Sequence, residues 1–381
     1  NPPAPPLLPP PLPPAPPTPP PIAVDLSLQR LGKVSLQEAS ADFPMVARLN
    51  DTRAVACWVD TSSGSHLRCA VLTLQGGNAL VKAPTATVRS SSTMHPAVAG
   101  LTDEKAIVCW LDDANSDKGT CSVLSISSIG TITPDSSVYD FYTSSLYTSY
   151  QSVSLATLDG EHGVVCWEIS SAYVQCSALE VASGSSTISY GSASQLSDSY
   201  SGYVHSLAAF DSSSAVLCYK SYTGSYGRCC VVTVSGTSLS YGSPLTFYSG
   251  TVGYTRPGQS WVSALSELSA IVCIQANSHS SQTRCTLLLR ESSASTSLVA
   301  AGSADVNSNS GYDPSVSALG TYAALVCYSD WNAAAGTCNR LRRNGDTLVV
   351  DDPVSVASSR VYTPSVAGLG GGVGLFCYDD Y

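Results

Sequence analysis

Three observations predict that this 381-residue chain is an all-β protein built as a closed ring of seven four-stranded sheets, a seven-bladed β-propeller. One apolar pattern recurs seven times, its copies lie about 50 to 57 residues apart, and the spacing within each copy is constant. Periods of about 40 to 55 residues made of short strands are typical of propeller blades. The composition, 44% hydrophobic and 12% charged, provides enough apolar residues for such buried sheets.

Each copy of the repeat ends in a cysteine that follows two or three apolar residues and usually precedes an aromatic one. The residue eleven positions before this cysteine is always Val or Leu, and the next residue is always Ala or Ser. A small residue suits the innermost strand, where seven strands crowd around one axis. The alternative, an array of independent two-sheet sandwiches, does not require it. The seven cysteines are Cys57, Cys109, Cys166, Cys218, Cys273, Cys327 and Cys377.

The strands of one blade can be assigned from the first copy. A first strand around Val46 leads through a turn to a second strand from Ala54 to Trp58. A loop rich in Ser and Gly leads to a third strand from Cys69 to Leu74, and a looser fourth strand closes the blade. The first two strands are continuous apolar runs, as expected where neighbouring blades cover both faces of a sheet.

The two ends of the repeat region predict how the ring closes. The last copy provides only a first and a second strand, because the chain stops four residues after Cys377. Two unassigned strands, Ile22 to Gln29 and Lys33 to Glu38, precede the first copy. We therefore expect one propeller domain over residues 22–381, whose seventh blade combines residues 22–40 with about 360–381. Joining the two parts would remove two exposed sheet edges.

Residues 1–21 form a separate region that contains 14 of the 23 prolines. Proline fixes φ and lacks a backbone N–H, so this region is predicted to be an extended polyproline II arm with a reach of roughly 65 Å. Two interpretations are open: a stiff, solvated spacer, or an arm that is recognised by a partner and carries glycans.

Six blades contain a second cysteine at the start of the third strand, separated from the first by nine to eleven intervening residues. The hairpin would bring each pair together, so disulfides are predicted; zinc, the alternative, needs four clustered ligands. Disulfides indicate an oxidising, extracellular or secretory compartment. The predicted pairs are Cys57 with Cys69, Cys109 with Cys121, Cys166 with Cys176, Cys218 with Cys229, Cys273 with Cys285, and Cys327 with Cys338.

Cys230 and Cys377 are left over. They fall in blades on opposite sides of the predicted ring, so they should not meet within one molecule. Either both are buried thiols, or they link neighbouring molecules head to tail.

The sequence contains no pattern typical of an enzyme site. The five histidines have no metal-ligand spacing, and phosphate-binding and nucleophile motifs are absent. Asp60, Asp112, Asp330 and Asp380 each follow a repeat cysteine by three residues, where Asp commonly forms a turn. A net charge of −10 without a basic run argues against nucleic acid, and no apolar stretch reaches 18 residues. We expect a protein that is not an enzyme and does not span a membrane.

One loop suggests a calcium-binding site, and calcium is the one cofactor that the sequence suggests. Asp305, Asn307, Asn309 and Asp313 provide alternating oxygen ligands of the kind that surround a hard cation. The loop resembles the calcium loops of integrin-type propellers, although its glycine, Gly311, falls one position late. A polar connection between blades is the alternative.

The residues also predict glycosylation. Asn50 begins the one Asn-x-Thr/Ser sequon, in a predicted surface turn. The proline-rich arm, with interspersed Ala4, Ala15 and Thr18, resembles the hydroxyproline-rich extracellular glycoproteins of plants and green algae, in which prolines are hydroxylated and carry sugars. That resemblance implies O-glycosylation candidates at Pro9, Pro10, Pro11, Pro13, Pro14, Pro19, Pro20 and Pro21.

The repeat, Pro-x-Val-x-x-Leu followed by an apolar strand that ends in Cys, looks like the blade repeats of large extracellular adhesins and wall proteins. Together the two resemblances imply a secreted structural glycoprotein, a repeating subunit of an extracellular fibre, wall or matrix. The arm would connect subunits and carry glycans, so self-association and an extracellular location are expected. The alternative is a carbohydrate-binding, lectin-like propeller in which loop tyrosines and Trp331 form sugar sites.

Overall fold

The computed structural model describes residues 28–36, 40–76, 79–144, 146, 153–169, 173–196, 201–221, 223–253, 261–308 and 310–380. The predicted proline arm, residues 1–21, and the first six residues of the predicted strand Ile22 to Gln29 lie outside these ranges.

The described residues form seven antiparallel sheets, which follow one another along the chain. The first comprises β1 (Ala41–Arg48), β2 (Arg53–Asp60), β3 (His66–Gln75), β4 (Ala79–Lys82) and β5 (Ala86–Arg89). The second comprises β6 (Met94–Thr102), β7 (Lys105–Asp112), β8 (Lys118–Ile126), β9 (Ile132–Pro134) and β10 (Tyr139–Tyr142). The third comprises β11 (Val153–Thr157), β12 (His162–Ile169), β13 (Tyr173–Val181), β14 (Ile188–Tyr190) and β15 (Ser194–Gln195).

The remaining four sheets repeat the arrangement. The fourth comprises β16 (Ser201–Asp211), β17 (Ser214–Ser221), β18 (Gly227–Ser235), β19 (Ser238–Tyr241) and β20 (Leu245–Tyr248). The fifth comprises β21 (Val262–Ser266), β22 (Ser269–Ala276), β23 (Gln282–Leu289) and β24 (Val299–Asp305). The sixth comprises β25 (Gly311–Gly320), β26 (Ala323–Asp330), β27 (Ala335–Asn344), β28 (Thr347–Val350) and β29 (Val354–Ala357). The seventh comprises β30 (Val361–Gly368) and β31 (Gly374–Asp380).

In the six larger sheets the first three strands pair in chain order, as in β1-β2-β3. In five of them two short strands, such as β4 and β5, pair with different parts of the third strand and together form an interrupted outer strand. Four 3-10 turns lie between strands: Thr61–Ser63, Asp113–Asn115, Asn277–His279 and Gly370–Gly372. The predicted all-β propeller of short strands is therefore confirmed.

The ring closes between the seventh sheet and the first. Each innermost strand contacts the innermost strand of the next sheet, and β30 contacts β1. The backbone N–H of Val46 donates a hydrogen bond of 3.0 Å to Ser365 Oγ across this junction. The first and the last described strands thus lie side by side.

Over the described residues the structure contains six complete blades, not the seven that the repeat predicts. The described part of the seventh sheet consists of β30 and β31, and residues 28–36 form no strand, so the expected strand from Lys33 is absent over residues 33–36. These residues nevertheless lie against the seventh sheet. Leu28 packs near Phe376, and Leu36 packs in the apolar cluster that contains Cys377. Residues 28–36 therefore lie at the expected position, although they form no strand there.

The core lies between blades rather than within one central cluster. Each apolar cluster combines residues of two adjacent sheets; for example, Trp110 of the second blade packs with Val55 and Cys57 of the first. Because both faces of the strands are covered in this way, continuous apolar runs are stable there. Four of the five tryptophans, Trp58, Trp110, Trp167 and Trp261, are almost completely buried.

The small residues of the repeat allow the innermost strands to approach closely. A Cβ added to Gly368 would overlap the carbonyl oxygen of Ala318 on the neighbouring innermost strand. Where the repeat has serine, its hydroxyl accepts a hydrogen bond from the next strand: Ser263 Oγ from the Ala318 N–H at 2.9 Å, and Ser317 Oγ from the Gly368 N–H at 2.9 Å. Serine at the Ala/Ser position thus provides hydrogen bonds between blades, and the crowding is seen at the next residue, Gly368.

A β-bulge recurs at the start of the innermost strand. Phe43, His95, Asp313 and Thr363, each fourteen residues before a repeat cysteine, have φ values between 45° and 53°. The strand register shifts at the same place in all four blades. A positive φ in non-glycine residues is uncommon, so this bulge is a built-in feature of the repeat, which sequence patterning did not indicate.

Candidate functional site

The structure forms all six predicted disulfides. In each pair the two cysteines are directly opposite each other on the second and third strands, with Cα atoms 4.0 to 4.1 Å apart. Every disulfide lies within one blade and is buried. Each one joins two strands of its own blade and has a structural role.

Cys230 and Cys377 are outside the six disulfides and occupy different surroundings. Cys230 is completely buried in the cluster between the third and fourth blades. Cys377 is 7% exposed in β31, and burial raises the pKa of its thiol to about 12. A link between these two residues of neighbouring molecules would require Cys230 to leave the core. The intermolecular link stays a prediction.

A cleft with a volume of about 1570 Å³ lies beside β31, between the sixth and the first blades. Its lining includes apolar side chains of both blades and of the seventh sheet, together with residues 28–36. Among the described residues, no strand pairs with the outer edge of β31. The cleft is defined by Leu28, Leu72, Leu325, Leu375, Phe376 and Cys377.

The second candidate is an aromatic surface in the sixth blade, which we call the Trp331 platform and define as Tyr312, Trp331 and Arg360. Trp331 is 43% exposed, and the Tyr312 ring centroid lies 5.2 Å from its own at an angle of 53°. The Arg360 guanidinium carbon lies 3.6 Å from the Trp331 ring centroid. The buried Nε of Arg360 has no hydrogen-bond partner among the described residues.

Three separate segments build the Trp331 platform. Trp331 begins the turn between β26 and β27, Tyr312 lies on β25, and Arg360 precedes β30. The Asp330 carboxylate holds the turn by accepting hydrogen bonds of 3.1 and 3.0 Å from the backbone N–H groups of Asn332 and Ala333. Sequence analysis singled out Trp331 but not Arg360, because no local pattern links residues so far apart.

The other recurring aspartates have different surroundings. Asp60 Oδ1 accepts a hydrogen bond of 2.6 Å from Ser62, in keeping with a turn. Asp112 is completely buried and pairs with Arg89 at 2.8 Å. Burial raises the pKa of Asp112, although the Arg89 guanidinium opposes this shift. The side chain of Asp380 lies outside the described part. These aspartates do not converge on one site.

The structure describes three of the four predicted calcium ligands. Arg284 Nη1 lies 2.7 Å from Asp305 Oδ1, so this carboxylate already has a cationic partner. Asn307 Oδ1 accepts a hydrogen bond of 2.9 Å from the Thr283 N–H, Asp313 lies at the β-bulge, and Asn309 is outside the described residues. Within the described ranges, no three His, Cys, Asp or Glu residues are grouped to hold a metal ion. Calcium binding stays a prediction.

The predicted glycosylation sites are only partly described. Asn50 lies in the turn between β1 and β2, where its Oδ1 accepts hydrogen bonds from the backbone N–H groups of Thr52 at 3.0 Å and Arg53 at 2.9 Å. The prolines proposed to carry sugars are outside the described ranges. Glycosylation at Asn50 and at the prolines stays a prediction.

Glu168 is a buried ionisable residue that sequence analysis missed. It is 3% exposed near the end of β12, and its Oε2 has no hydrogen-bond partner among the described residues. Burial raises the pKa of Glu168 to about 7. The first and second blades have Val59 and Leu111 at the equivalent position, two residues after the repeat cysteine. The signal in the sequence was weak, because the fourth, fifth and sixth blades have Lys220, Gln275 and Ser329 at this position.

Comparison with known proteins shows the fold. No protein-family model matches the chain, and no curated protein matches it. The BP39L lectin from Burkholderia pseudomallei matches with a TM-score of 0.57 and 12% identity, over 86% of this chain and 89% of that chain. AofleA from Arthrobotrys oligospora matches with a TM-score of 0.53 and 9% identity, over 88% and 89%. The periplasmic gluconolactonase PpgL from Pseudomonas aeruginosa matches with a TM-score of 0.54 and 13% identity, over 89% and 88%.

At these identities the likeness supports a β-propeller and leaves the activity open, since propellers perform many functions. None of the matches supports the resemblance to hydroxyproline-rich glycoproteins. In the part of the chain that the structure describes, no helix has the length and hydropathy needed to span a bilayer.

Proposed function

We propose that this protein is a secreted carbohydrate-binding propeller and that the Trp331 platform is its sugar site. The exposure of Trp331 carries the proposal, because the four other tryptophans fill the core between blades. Trp331 is 43% exposed and therefore buries much less of its side chain than the other four tryptophans do. Exposed aromatic side chains of this kind are enriched at binding surfaces.

The chemistry of the Trp331 platform suits a sugar. An indole offers an apolar face and an N–H donor, which match the apolar face and the hydroxyl groups of a pyranose ring. Arg360 lies over one face of the Trp331 ring and adds guanidinium donors beside it. A second ring, Tyr312, lies beside Trp331. The BP39L lectin, which has a similar fold, is consistent with carbohydrate binding in such a scaffold.

The proposal is tested by screening the protein on a glycan array and measuring the best ligand by calorimetry. We expect Trp331→Ala to weaken binding at least about tenfold, roughly 1.4 kcal/mol, and Trp331→Phe to retain part of the affinity. Tyr322→Ala is the matched control, because Tyr322 is 68% exposed at the opposite end of β26.

Two results would reject the sugar site. One is unchanged binding in Trp331→Ala; the other is a screen in which the wild-type protein binds no glycan.

The second candidate function is a structural subunit of an extracellular fibre, wall or matrix, with residues 1–21 as connector and glycan carrier. The 14 prolines of this region and the six disulfides favour it, since a stiff arm attached to blades with internal disulfides suits an extracellular assembly. The disulfides are also consistent with an extracellular location. Electron microscopy of material from the native source tests this candidate: ordered polymers support it, and isolated rings contradict it.

We also propose the finer architecture that the repeat predicts, a seventh blade completed by residues 22–40. Leu28 and Leu36, which pack against the seventh sheet, support this architecture.

A further inference from the structure

We propose that the Trp331 platform binds acidic glycans, sugars that carry a carboxylate or a sulfate group, and that Arg360 pairs with this anionic group. This inference rests on the sugar site proposed above and adds the charge of its ligand. Three features of the platform favour such a ligand. Arg360 has no carboxylate partner in the described structure, the side chains of the platform are mainly hydrogen-bond donors, and the guanidinium lies over an aromatic ring.

The first feature is the missing ion pair of Arg360. The chain has 28 Asp and Glu residues and only 18 Lys and Arg residues, so carboxylates are plentiful. Over the described ranges, the Arg360 side chain nevertheless forms neither an ion pair nor a hydrogen bond. Six other arginines are paired with an aspartate: Arg48, Arg68, Arg89, Arg284, Arg290 and Arg342.

The surroundings of Arg360 make an anionic partner favourable. Its side chain is partly buried, and its Nε is buried without a partner among the described residues. A cation that has lost part of its hydration gains from an opposite charge nearby. The two Nη nitrogens are not among the buried atoms, so a ligand can reach them. An anionic ligand would thus provide the partner that the described part of the chain does not.

Asp330, the acidic residue next to Trp331 in the sequence, has a different role. Its Oδ1 accepts the hydrogen bonds of 3.1 and 3.0 Å from the N–H groups of Asn332 and Ala333 that hold the turn. No ion pair connects this carboxylate with Arg360, although both residues belong to the described part of the sixth-blade region. The positive charge of Arg360 therefore stays available to a ligand.

The second feature is the hydrogen-bonding character of the platform. The indole of Trp331 and the guanidinium of Arg360 are donors only, and the Tyr312 hydroxyl both donates and accepts. None of these three side chains forms a hydrogen bond with another described residue. A carboxylate or a sulfate accepts hydrogen bonds only, so it complements these donors. The hydroxyl groups of a neutral sugar also need acceptors for their own protons.

The third feature is the position of the guanidinium over the indole. The Arg360 guanidinium carbon lies 3.6 Å from the Trp331 ring centroid, a distance at which two planar groups stack. In a stacked guanidinium the N–H groups point sideways, past the edge of the ring. There they can donate two parallel hydrogen bonds to two oxygens of a carboxylate or a sulfate. The sugar ring would then lie against the exposed part of Trp331, beside Tyr312.

Ligands that differ only in charge test the proposal on the full-length protein. Oligosaccharides of galacturonic acid carry carboxylates, and their methyl esters keep the sugar rings without the charge. Sulfated galactose oligosaccharides and their desulfated forms make the same comparison for sulfate. Calorimetry at low salt measures each affinity. We expect at least one acidic ligand to bind at least about tenfold more tightly than its neutral counterpart, because hydrogen bonds to charged groups are the stronger ones.

Variants of Arg360 show whether this residue reads the charge. We expect Arg360→Gln to weaken binding of the acidic ligand at least about tenfold and to change binding of the neutral ligand less than about twofold. Arg360→Lys keeps the charge without the planar fork and should fall between Arg360→Gln and the wild-type protein. Thermal unfolding verifies that each variant is folded.

Arg342→Gln is the matched control for Arg360→Gln. It removes the same charge from an exposed arginine of the sixth blade. Arg342 pairs with Ala323 in the strand register, at the end of the β26–β27 hairpin opposite to Trp331. We expect this variant to bind the acidic and the neutral ligand like the wild-type protein, since the loss of an exposed ion pair has little effect on the fold.

The salt dependence of binding is a second measurement, and it needs no variant. Dissolved ions screen the attraction between an accessible guanidinium and an anionic ligand. An increase from about 50 mM to about 500 mM NaCl should therefore weaken binding of the acidic ligand at least about threefold and leave that of the neutral ligand nearly unchanged.

Several outcomes would overturn the charge preference while leaving the sugar site intact. These are equal affinities for the acidic and neutral ligands, or an unchanged affinity of Arg360→Gln for the acidic ligand, in each case with binding still lost in Trp331→Ala. Tighter binding of neutral ligands by Arg360→Gln would also overturn it, since Arg360 would then only cover the indole. A wild-type protein that binds none of these glycans, and none on the array, would reject the sugar site itself.

Discussion

At the scale of single residues, Glu168 is the buried group with the clearest effect on stability. Glu168 is 3% exposed, and burial raises the pKa of its carboxyl from 4.5 to about 7. In the unfolded chain the same carboxyl ionises at its ordinary pKa. Between about pH 4.5 and 7 the unfolded state therefore binds fewer protons than the folded state, and the free energy of unfolding falls as pH rises.

We predict that Glu168→Gln removes this pH dependence. The variant should be more stable than the wild-type protein at pH 8 by about 1–3 kcal/mol and should lose that advantage at pH 4. Urea unfolding at the two pH values measures the difference. Glu180→Gln, an exposed substitution on β13 of the same blade, is the control. A Glu168→Gln variant as unstable at pH 8 as the wild-type protein would contradict the argument.

Residue positions also mark where sequence reasoning succeeds and fails. Cys57 and Cys69 could be paired from the sequence because a short hairpin brings them together, and Trp331 was recognisable as a loop aromatic. Arg360 was not, since its contact with Trp331 depends on how two blades pack. The left-handed conformation of Phe43 and Thr363 also gave no signal, because neither residue type favours it.

At the scale of elements, the second and third strands of each blade form the most strongly specified unit. Their apolar runs, turn residues and cysteine spacing all favour the same hairpin, so its prediction was accurate. The outer strand was harder to define: in five blades it is divided into two short strands with few apolar positions. Residues 33–36 were expected to form a strand and do not, because apolar residues such as Val34 pack without pairing to a neighbouring strand.

We predict that removing one hairpin disulfide destabilises the protein without changing its fold. Cys57→Ala/Cys69→Ala should lower the free energy of unfolding by about 2–4 kcal/mol, since the unfolded chain regains the freedom of a closed loop. Thermal unfolding under non-reducing conditions measures this change. The difference between variant and wild type should disappear once dithiothreitol has reduced every disulfide; a difference that persists would point to lost packing instead.

At the scale of the whole molecule, the close approach of the innermost strands determines how the blades assemble. Gly368 and Ala318 meet where the sixth and seventh sheets face the axis, and the hydroxyl of Ser317 bonds to the Gly368 N–H across the same gap. The sequence predicted crowding there from the small residue of the repeat. It did not predict the hydrogen bonds between blades, because serine and alanine are equally small.

We predict that Gly368→Ala destabilises the ring by about 1–3 kcal/mol, because the new methyl group would collide with backbone and could not be relieved by a rotamer change. The midpoint of chemical unfolding measures this effect. Gly160→Ala is the control, because a Cβ there would make an ordinary contact of 3.4 Å with Thr102. Similar losses in both variants would show that the replacement of glycine in general, and not crowding at the axis, lowers the stability.

All six disulfides join strands of the same blade, so no disulfide crosses a boundary between blades; the connecting backbone, packing and hydrogen bonds hold neighbouring blades together. Under mechanical tension such a ring should open at a boundary between blades, while each cross-linked hairpin remains intact. The junction between β30 and β1 would bear the load first, since it alone joins segments that are distant along the chain. The chain would then extend by one blade at a time. Each step would be shorter than the full length of a blade, because the residues between its two linked cysteines cannot extend.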